Sequence, residues 1–122
     1  MISVLIVEDD AFIRDITTIK FTEHAYEVVA VASGEAALAA FDARAFDIML
    51  LDLDLPDMSG FELLAAVQTH QNGVTTNVIV FSNSADAVQK EHVSKLGVLG
   101  LFAKASTPYE ELFALIDHAA TV

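Results

Sequence analysis

Apolar runs and amphipathic stretches alternate along the whole of this chain. Ser3 to Val7 is a short apolar run that stops abruptly at Glu8-Asp9-Asp10, which predicts a buried strand with acids at its carboxyl tip. From about Ala11 to His24, Phe12, Ile13, Ile16, Ile19 and Phe21 recur at near-helical spacing, an amphipathic helix. Tyr26 to Ala32 is apolar and β-branched, a second strand. Ser33 is a natural N-cap for a helix over Gly34 to Arg44, with Ala37, Leu38 and Phe41 inward. Phe46 to Leu51, broken only by Asp47, predicts a third buried strand that delivers Asp52 to its carboxyl end. The chain turns through Pro56 and restarts as a helix over Gly60 to His70, carrying Phe61, Leu64 and Val67, with a stop at Gln71-Asn72-Gly73. Asn77 to Phe81 reads as a fourth strand ending at Ser82-Asn83-Ser84, and Asp86 to Leu96 as a more polar helix closed by Gly97. Val98 to Ala103 is a fifth short strand ending at Lys104. Thr107-Pro108-Tyr109-Glu110 starts the last helix, with Thr as N-cap, Pro as first helical residue and Glu110 as box partner. That helix runs to about Ala119 with Leu112, Leu115 and Ile116 inward.

Five strands alternating with five helices, the strands almost continuously apolar, predict one α/β domain over residues 1–122. Its sheet is parallel and covered on both faces. Phe12, Phe21, Phe41, Phe46 and Phe61 are expected in its core.

Composition narrows the function more than the fold. With 18 acidic and 6 basic residues the formal net charge is −12, which argues against direct nucleic-acid binding and anionic membrane surfaces. The charge suits a cation site or a basic partner, with solubility as the plain alternative. There is no cysteine, hence no disulfide, thiol chemistry or Cys-based metal site. No apolar run reaches membrane-spanning length, and no basic region precedes the first apolar run as a secretory signal would require. A cytoplasmic, soluble protein is expected. His24, His70, His92 and His118 lack metal-ligand spacing and are expected at the surface.

The residues after each strand carry the chemistry. The first strand offers Glu8, Asp9 and Asp10, the third Asp52 and Asp54, the fourth Ser82 and the fifth Lys104. In a parallel sheet these tips share one edge, where open α/β sheets place their sites. Clustered carboxylates repel unless a cation neutralises them, and an all-oxygen donor set with few protein ligands suits Mg²⁺. A carboxylate can also attack phosphorus, and a metal, an ammonium and a hydroxyl can stabilise the charge that then spreads over the phosphoryl oxygens. Asp52, Mg²⁺, Lys104 and Ser82 would supply these parts. Asp10 has the rival role of a helix N-cap, and Asp57 reads as a turn or cap residue.

Leu5-Ile6-Val7-Glu8-Asp9-Asp10, Leu51-Asp52-Leu53-Asp54-Leu55-Pro56-Asp57-Met58-Ser59-Gly60, Val78-Ile79-Val80-Phe81-Ser82 and Lys104 stand in an order and spacing that resembles a response-regulator receiver domain over essentially the whole chain. The resemblance implies a flavodoxin-like doubly wound sheet with strand order 2-1-3-4-5. It implies Asp52 as phospho-acceptor, Asp9 on Mg²⁺, Glu8 on a metal-bound water, and the backbone carbonyl of Asp54 completing the metal site. Ser82 and Lys104 would each hold a phosphoryl oxygen. The donor would be a phosphohistidine on a sensor histidine kinase or phosphotransfer protein. Such a domain promotes its own phosphorylation and dephosphorylation without being a dedicated enzyme. Output would pass to a downstream target, or to a second copy, through the face of the fourth helix, fifth strand and fifth helix, where Ala87, Val88, Leu101, Tyr109 and Phe113 are candidates.

Three positions depart from the family pattern. Ala105 replaces the proline that often follows the lysine, so a trans bond is expected. Leu101 stands where a switching aromatic is usual, with Phe102 on the opposite face. Asp54 adds a negative charge near the hydrolytic water and should affect phosphoryl lifetime. Other readings fit less well. Asp52-Leu53-Asp54 resembles the aspartate pair of haloacid-dehalogenase-type phosphatases, but it follows the third strand and precedes Leu55-Pro56. A calcium loop would need glycine where Asp57 stands. A degenerate receiver acting only as a binding surface is disfavoured because all five key positions are filled. The short length favours a stand-alone regulator over an excised N-terminal domain.

Overall fold

The central strands lack a polar face because neither face of the sheet meets water. The computed structural model describes residues 1–83, 91 and 94–120. Its elements are β1 (Ser3–Val7), α1 (Ala11–Glu23), β2 (Glu27–Val31), α2 (Gly34–Ala43), β3 (Ile48–Leu51), α3 (Gly60–Thr69), β4 (Asn77–Ser82), β5 (Gly100–Ala103) and α4 (Tyr109–Ala120). The five strands are parallel, as the apolar runs predict, and stand in the order 2-1-3-4-5 that the resemblance implies. Four helices occur among the described residues. The helix expected over 86–96 falls largely outside them, as do Ser84, Ala87, Val88 and His92.

Strand alternation sends successive residues into two cores. Leu5, Val7, Met49, Leu51 and Val78 meet Phe41 of α2 and Leu63, Leu64 and Val67 of α3. Val4, Ile6, Ile48, Leu50, Ile79 and Phe81 meet Phe21 of α1 and Leu112 and Ile116 of α4. Edge strand β2 is only half-buried, and its Glu27 pairs with Arg44. No described helix is long and apolar enough to cross a membrane.

Helix α1 corrects the expected core. Phe12, expected in the core, is 72% exposed, and Ile19, counted in the same apolar spacing, is 55% exposed. The inward stripe is Ile13, Thr17 and Phe21, spaced four residues apart, and Phe12 and Ile19 project from nearly the opposite side. Counting only apolar residues hid the stripe, because its central member is the threonine. Phe61 is half-buried, against Leu53, Val80 and Leu101. Helix α4 begins at Tyr109, one residue later than the Pro108 start, with Glu111 N–H donating to the Pro108 carbonyl.

The end of α1 was not legible as a stop. Ala25 N–H donates to the Thr22 carbonyl and Tyr26 N–H to the Phe21 carbonyl, the paired bonds of a Schellman turn. The residue that must be left-handed is Ala25, at φ +67°. An alanine there costs about 1–2 kcal/mol, partly matched by the ~0.5–1 kcal/mol that glycine's unfolded-state freedom would cost. Ala25→Gly is therefore expected to stabilise the protein by about 0.5–1 kcal/mol, read from urea unfolding midpoints; a lower midpoint would contradict the strain argument.

His24 and His70 do more than cover the surface. His24 stacks on Phe113 and bonds Asp117 at 3.0 Å, while Tyr26 hydroxyl donates to the other Asp117 oxygen at 2.7 Å. Those two bonds hold the Asp117 carboxyl below the usual range, and burial followed by the Asp117 contact pushes the Tyr26 phenol up. His70, only 20% exposed, bonds Asp42 at 2.7 Å and accepts from Asn72 N–H, which closes α3 at the predicted stop.

Candidate functional site

Register decides which tips meet. Val7 lies beside Leu51, and Leu51 beside Val80, so Glu8 and Asp52 leave neighbouring strands at the same level. Ser82 and Ala103 pair on the next two strands, and Lys104 follows at once.

The side chains converge on Asp52, which is 5% exposed. Lys104 Nζ bonds Asp52 Oδ2 at 2.9 Å, and Ser82 Oγ donates to Oδ1 at 3.1 Å. Asp54 N–H also donates to Oδ1, at 3.2 Å. Lys104 contacts Glu8 Oε1 as well, so one buried ammonium bridges two buried carboxylates. Asp10 N–H donates to Glu8 Oε2 at 3.2 Å.

These contacts set the proton affinities. Burial pushes the Glu8 carboxyl up; the Lys104 and Asp10 bonds only partly oppose it, and the Asp52 charge adds to the rise. Burial alone would pull the Lys104 ammonium down, but its bonds to Asp52 and Glu8 outweigh that and raise it. The ammonium thus stays charged at neutral pH.

Asp9 completes the acid group. Oxygens of Glu8, Asp9 and Asp52 lie within 4.8 Å of one another, with Asp9 exposed and the other two buried. Three carboxylates against one ammonium leave negative charge over, and the donors are all oxygen. Both features fit a hard divalent cation such as Mg²⁺. The Asp54 carboxylate lies outside this group and is exposed; the part the resemblance gives Asp54 is a main-chain one.

The neighbouring acids have other duties. Asp10 caps α1, accepting from Ile13 N–H at 3.0 Å. Asp57 accepts from Gly34 and Glu35 N–H, each at 2.9 Å, so it caps α2 and ties the β3–α3 loop to that helix. Those two bonds hold its carboxyl below the usual range. The loop also folds tightly on itself: a Cβ on Gly60 would lie 2.6 Å from Leu53 Cα, which explains glycine there.

Two participants escaped the sequence reading. Arg14 Nη1 donates to the carbonyls of Glu8 and Asp9, at 3.0 and 3.3 Å. Thr17, buried, lines a small internal cavity with Ile6, Val7, Glu8, Leu50, Asp52 and Phe81, and its hydroxyl bonds Tyr109 hydroxyl at 2.9 Å. The helical spacing of Arg14 and Thr17 was visible, but not their orientation. A larger hollow, about 510 Å³, opens at the opposite edge of the sheet. It holds none of the site residues, and its one acid, Asp47, already accepts from Ser3 N–H and Oγ.

The departures from the family pattern resolve simply. No cis bond occurs among the described residues, so Lys104–Ala105 is trans. Leu101 packs with Leu53 and Val80 on one side of the sheet, while Phe102 joins Phe81 and Tyr109 on the other.

Similarity to known proteins agrees with this geometry. A family model described as the response regulator receiver domain matches residues 4–117. The transcriptional regulatory protein CiaR of Streptococcus pneumoniae is 32% identical over 97 residues, covering 80% of this chain and 42% of CiaR. The sensory transduction protein RegX3 of Mycobacterium tuberculosis is 36% identical over 88 residues, covering 72% of this chain and 39% of RegX3. The chain therefore spans less than half the length of these curated relatives. Among solved structures, the chemotaxis response regulator CheY4 of Vibrio cholerae superimposes with a TM-score of 0.86 at 27% identity, covering 98% of both chains.

Proposed function

Since the chain belongs to the response regulator receiver domain family of two-component systems, we propose that Asp52 accepts a phosphoryl group from a phosphohistidine and that this modification switches protein–protein contacts. The observation that carries this reading is the convergence of Lys104 Nζ and Ser82 Oγ on the two oxygens of one buried carboxylate. The N–P bond of the donor breaks, the Asp52 carboxylate supplies the electrons for the new O–P bond, and the histidine nitrogen keeps the electron pair and takes a proton. Lys104 transfers its bond from Asp52 to a phosphoryl oxygen, and Ser82 donates to a second. Both groups are in place beforehand, so little reorganisation opposes the step.

Mg²⁺ bound by Glu8, Asp9, Asp52 and the main-chain carbonyl of Asp54 would supply positive charge to the phosphoryl oxygens. Asp9 would hold the ion directly, and Glu8 would act through a bound water. The donor is a sensor histidine kinase or phosphotransfer protein, and the location is cytoplasmic. Residues 1–122 act as one receiver unit. Output runs through β5, α4 and the segment between β4 and β5, to a target protein or a second copy. The net charge of −12 supports a protein partner over direct nucleic-acid contact.

Wild-type protein incubated with a small phosphoryl donor should gain one acid-stable, hydroxylamine-labile phosphoryl group with Mg²⁺ and none with EDTA. Equal labelling in both would sink the metal-dependent reading. Mg²⁺ alone should also raise the melting temperature, since a ligand of the native state adds about 2.7 kcal/mol at a hundredfold excess over Kd. A melting temperature indifferent to millimolar Mg²⁺ would count against the acid group as a cation site.

A further inference from the structure

Each acid of the cluster is held differently. The Glu8 carboxylate is fastened by Lys104 and Asp10 N–H, and that of Asp52 by Lys104, Ser82 and Asp54 N–H. Asp9 is exposed, and its carbonyl accepts from Arg14. Its carboxylate is thus aimed by the main chain. The grip on that main chain is Arg14, whose Nη1 spans the successive carbonyls of Glu8 and Asp9 from α1. Asp10 closes the same loop from the other side as the N-cap of α1.

We propose that Arg14 is a positioning residue for the cation site: it fixes the Glu8 and Asp9 peptides so that the Asp9 carboxylate reaches the oxygens of Glu8 and Asp52. This rests on the reading of those three acids as a Mg²⁺ site. Both bonds leave one terminal nitrogen, Nη1; its N–H directions are fixed by the rigid guanidinium plane, whereas an ammonium on a flexible stem holds no such direction.

Positioning and electrostatics predict opposite signs. Arg14 is a cation beside a cation site, so by Coulomb's law alone its removal should tighten Mg²⁺ binding. If its role is to aim Asp9, removal should weaken binding, by about the 10- to 100-fold typical of residues that orient metal ligands. Mg²⁺ titration by calorimetry of the wild type, Arg14→Met, Arg14→Lys and Lys20→Met separates the two. Lys20 is an exposed cation on the same helix and controls for charge. We expect a Kd at least tenfold weaker for Arg14→Met, a several-fold loss for Arg14→Lys, and no weakening for Lys20→Met. Melting in EDTA identifies any variant that fails to fold; if Arg14→Met does not, Arg14→Lys, which keeps the charge, carries the test. Wild-type affinity or tighter in folded Arg14→Met, or in Arg14→Lys where only it folds, overturns the positioning role and leaves the site reading intact. Absence of Mg²⁺ binding by the wild type overturns both.

Discussion

Replacing Asp52 with Asn should abolish phosphoryl incorporation while leaving the fold intact. The amide keeps the shape of the carboxylate and can still accept from Ser82 Oγ and Asp54 N–H, which meet the same oxygen in the wild type. It lacks the anionic lone pair that attacks phosphorus. The substitution also removes one of two buried acids from around a single ammonium, leaving Glu8 and Lys104 as a one-to-one pair. Stability without metal should thus be unchanged or higher. Mass spectrometry after incubation with donor and Mg²⁺ should show the modified species in the wild type and background alone in the variant. A variant modified to the wild-type extent would mean that another residue is the acceptor.

The largest stability effect belongs to Lys104→Met. The methionine fills the space of the stem but leaves Glu8 and Asp52, each 5% exposed, without their shared cation. Removing one partner from a buried ionic group costs about 3–5 kcal/mol, a large share of the ~5–15 kcal/mol that stabilises a typical domain. Unfolding by urea in EDTA at neutral pH should show that loss, and the variant should also accept phosphate poorly.

The pH dependence follows from the sign of the Lys104 shift. Its folded-state affinity for protons is raised above the ordinary lysine value of 10.5. The stability it adds is therefore complete below that value and lost as pH rises through the higher folded value. The gap between wild type and Lys104→Met should stay constant from neutral pH up to about 10 and close above it. A gap that closed near neutral pH would show that burial, rather than the Asp52 and Glu8 contacts, governs the ammonium.

Much of the fold and site could be read from the chain because the signals are local. Ser33 caps α2 as expected, through its hydroxyl and an N–H three residues on; Ser59 caps α3 in the same way, a cap the sequence reading did not name. The all-apolar strands named a covered parallel sheet, and once the sheet is parallel its tips must share an edge. Glu8, Asp9, Asp52, Ser82 and Lys104 then fall together by geometry.

What the local pattern could not carry is direction in space. Phe12 counts as apolar in any window, yet which side of α1 faces the sheet depends on where Thr17 and Phe21 pack. Asp57 reads as a turn or cap residue, but the N–H groups it caps belong to a helix 23 and 22 residues earlier, which the sequence did not indicate. The Thr17–Tyr109 bond joins residues 92 apart, and Ala25 ends a helix where glycine would have announced the stop.

Sequence alone thus determined the order of the described elements, the sheet type and the five groups at its edge, because strand and helix periods act over a few residues. Tertiary structure decided how those groups are held: Lys104 across two acids, Arg14 across two carbonyls, Asp57 across two elements. A hydrogen-bonding side chain can satisfy many partners in principle, and only close packing of distant segments selects the one it meets.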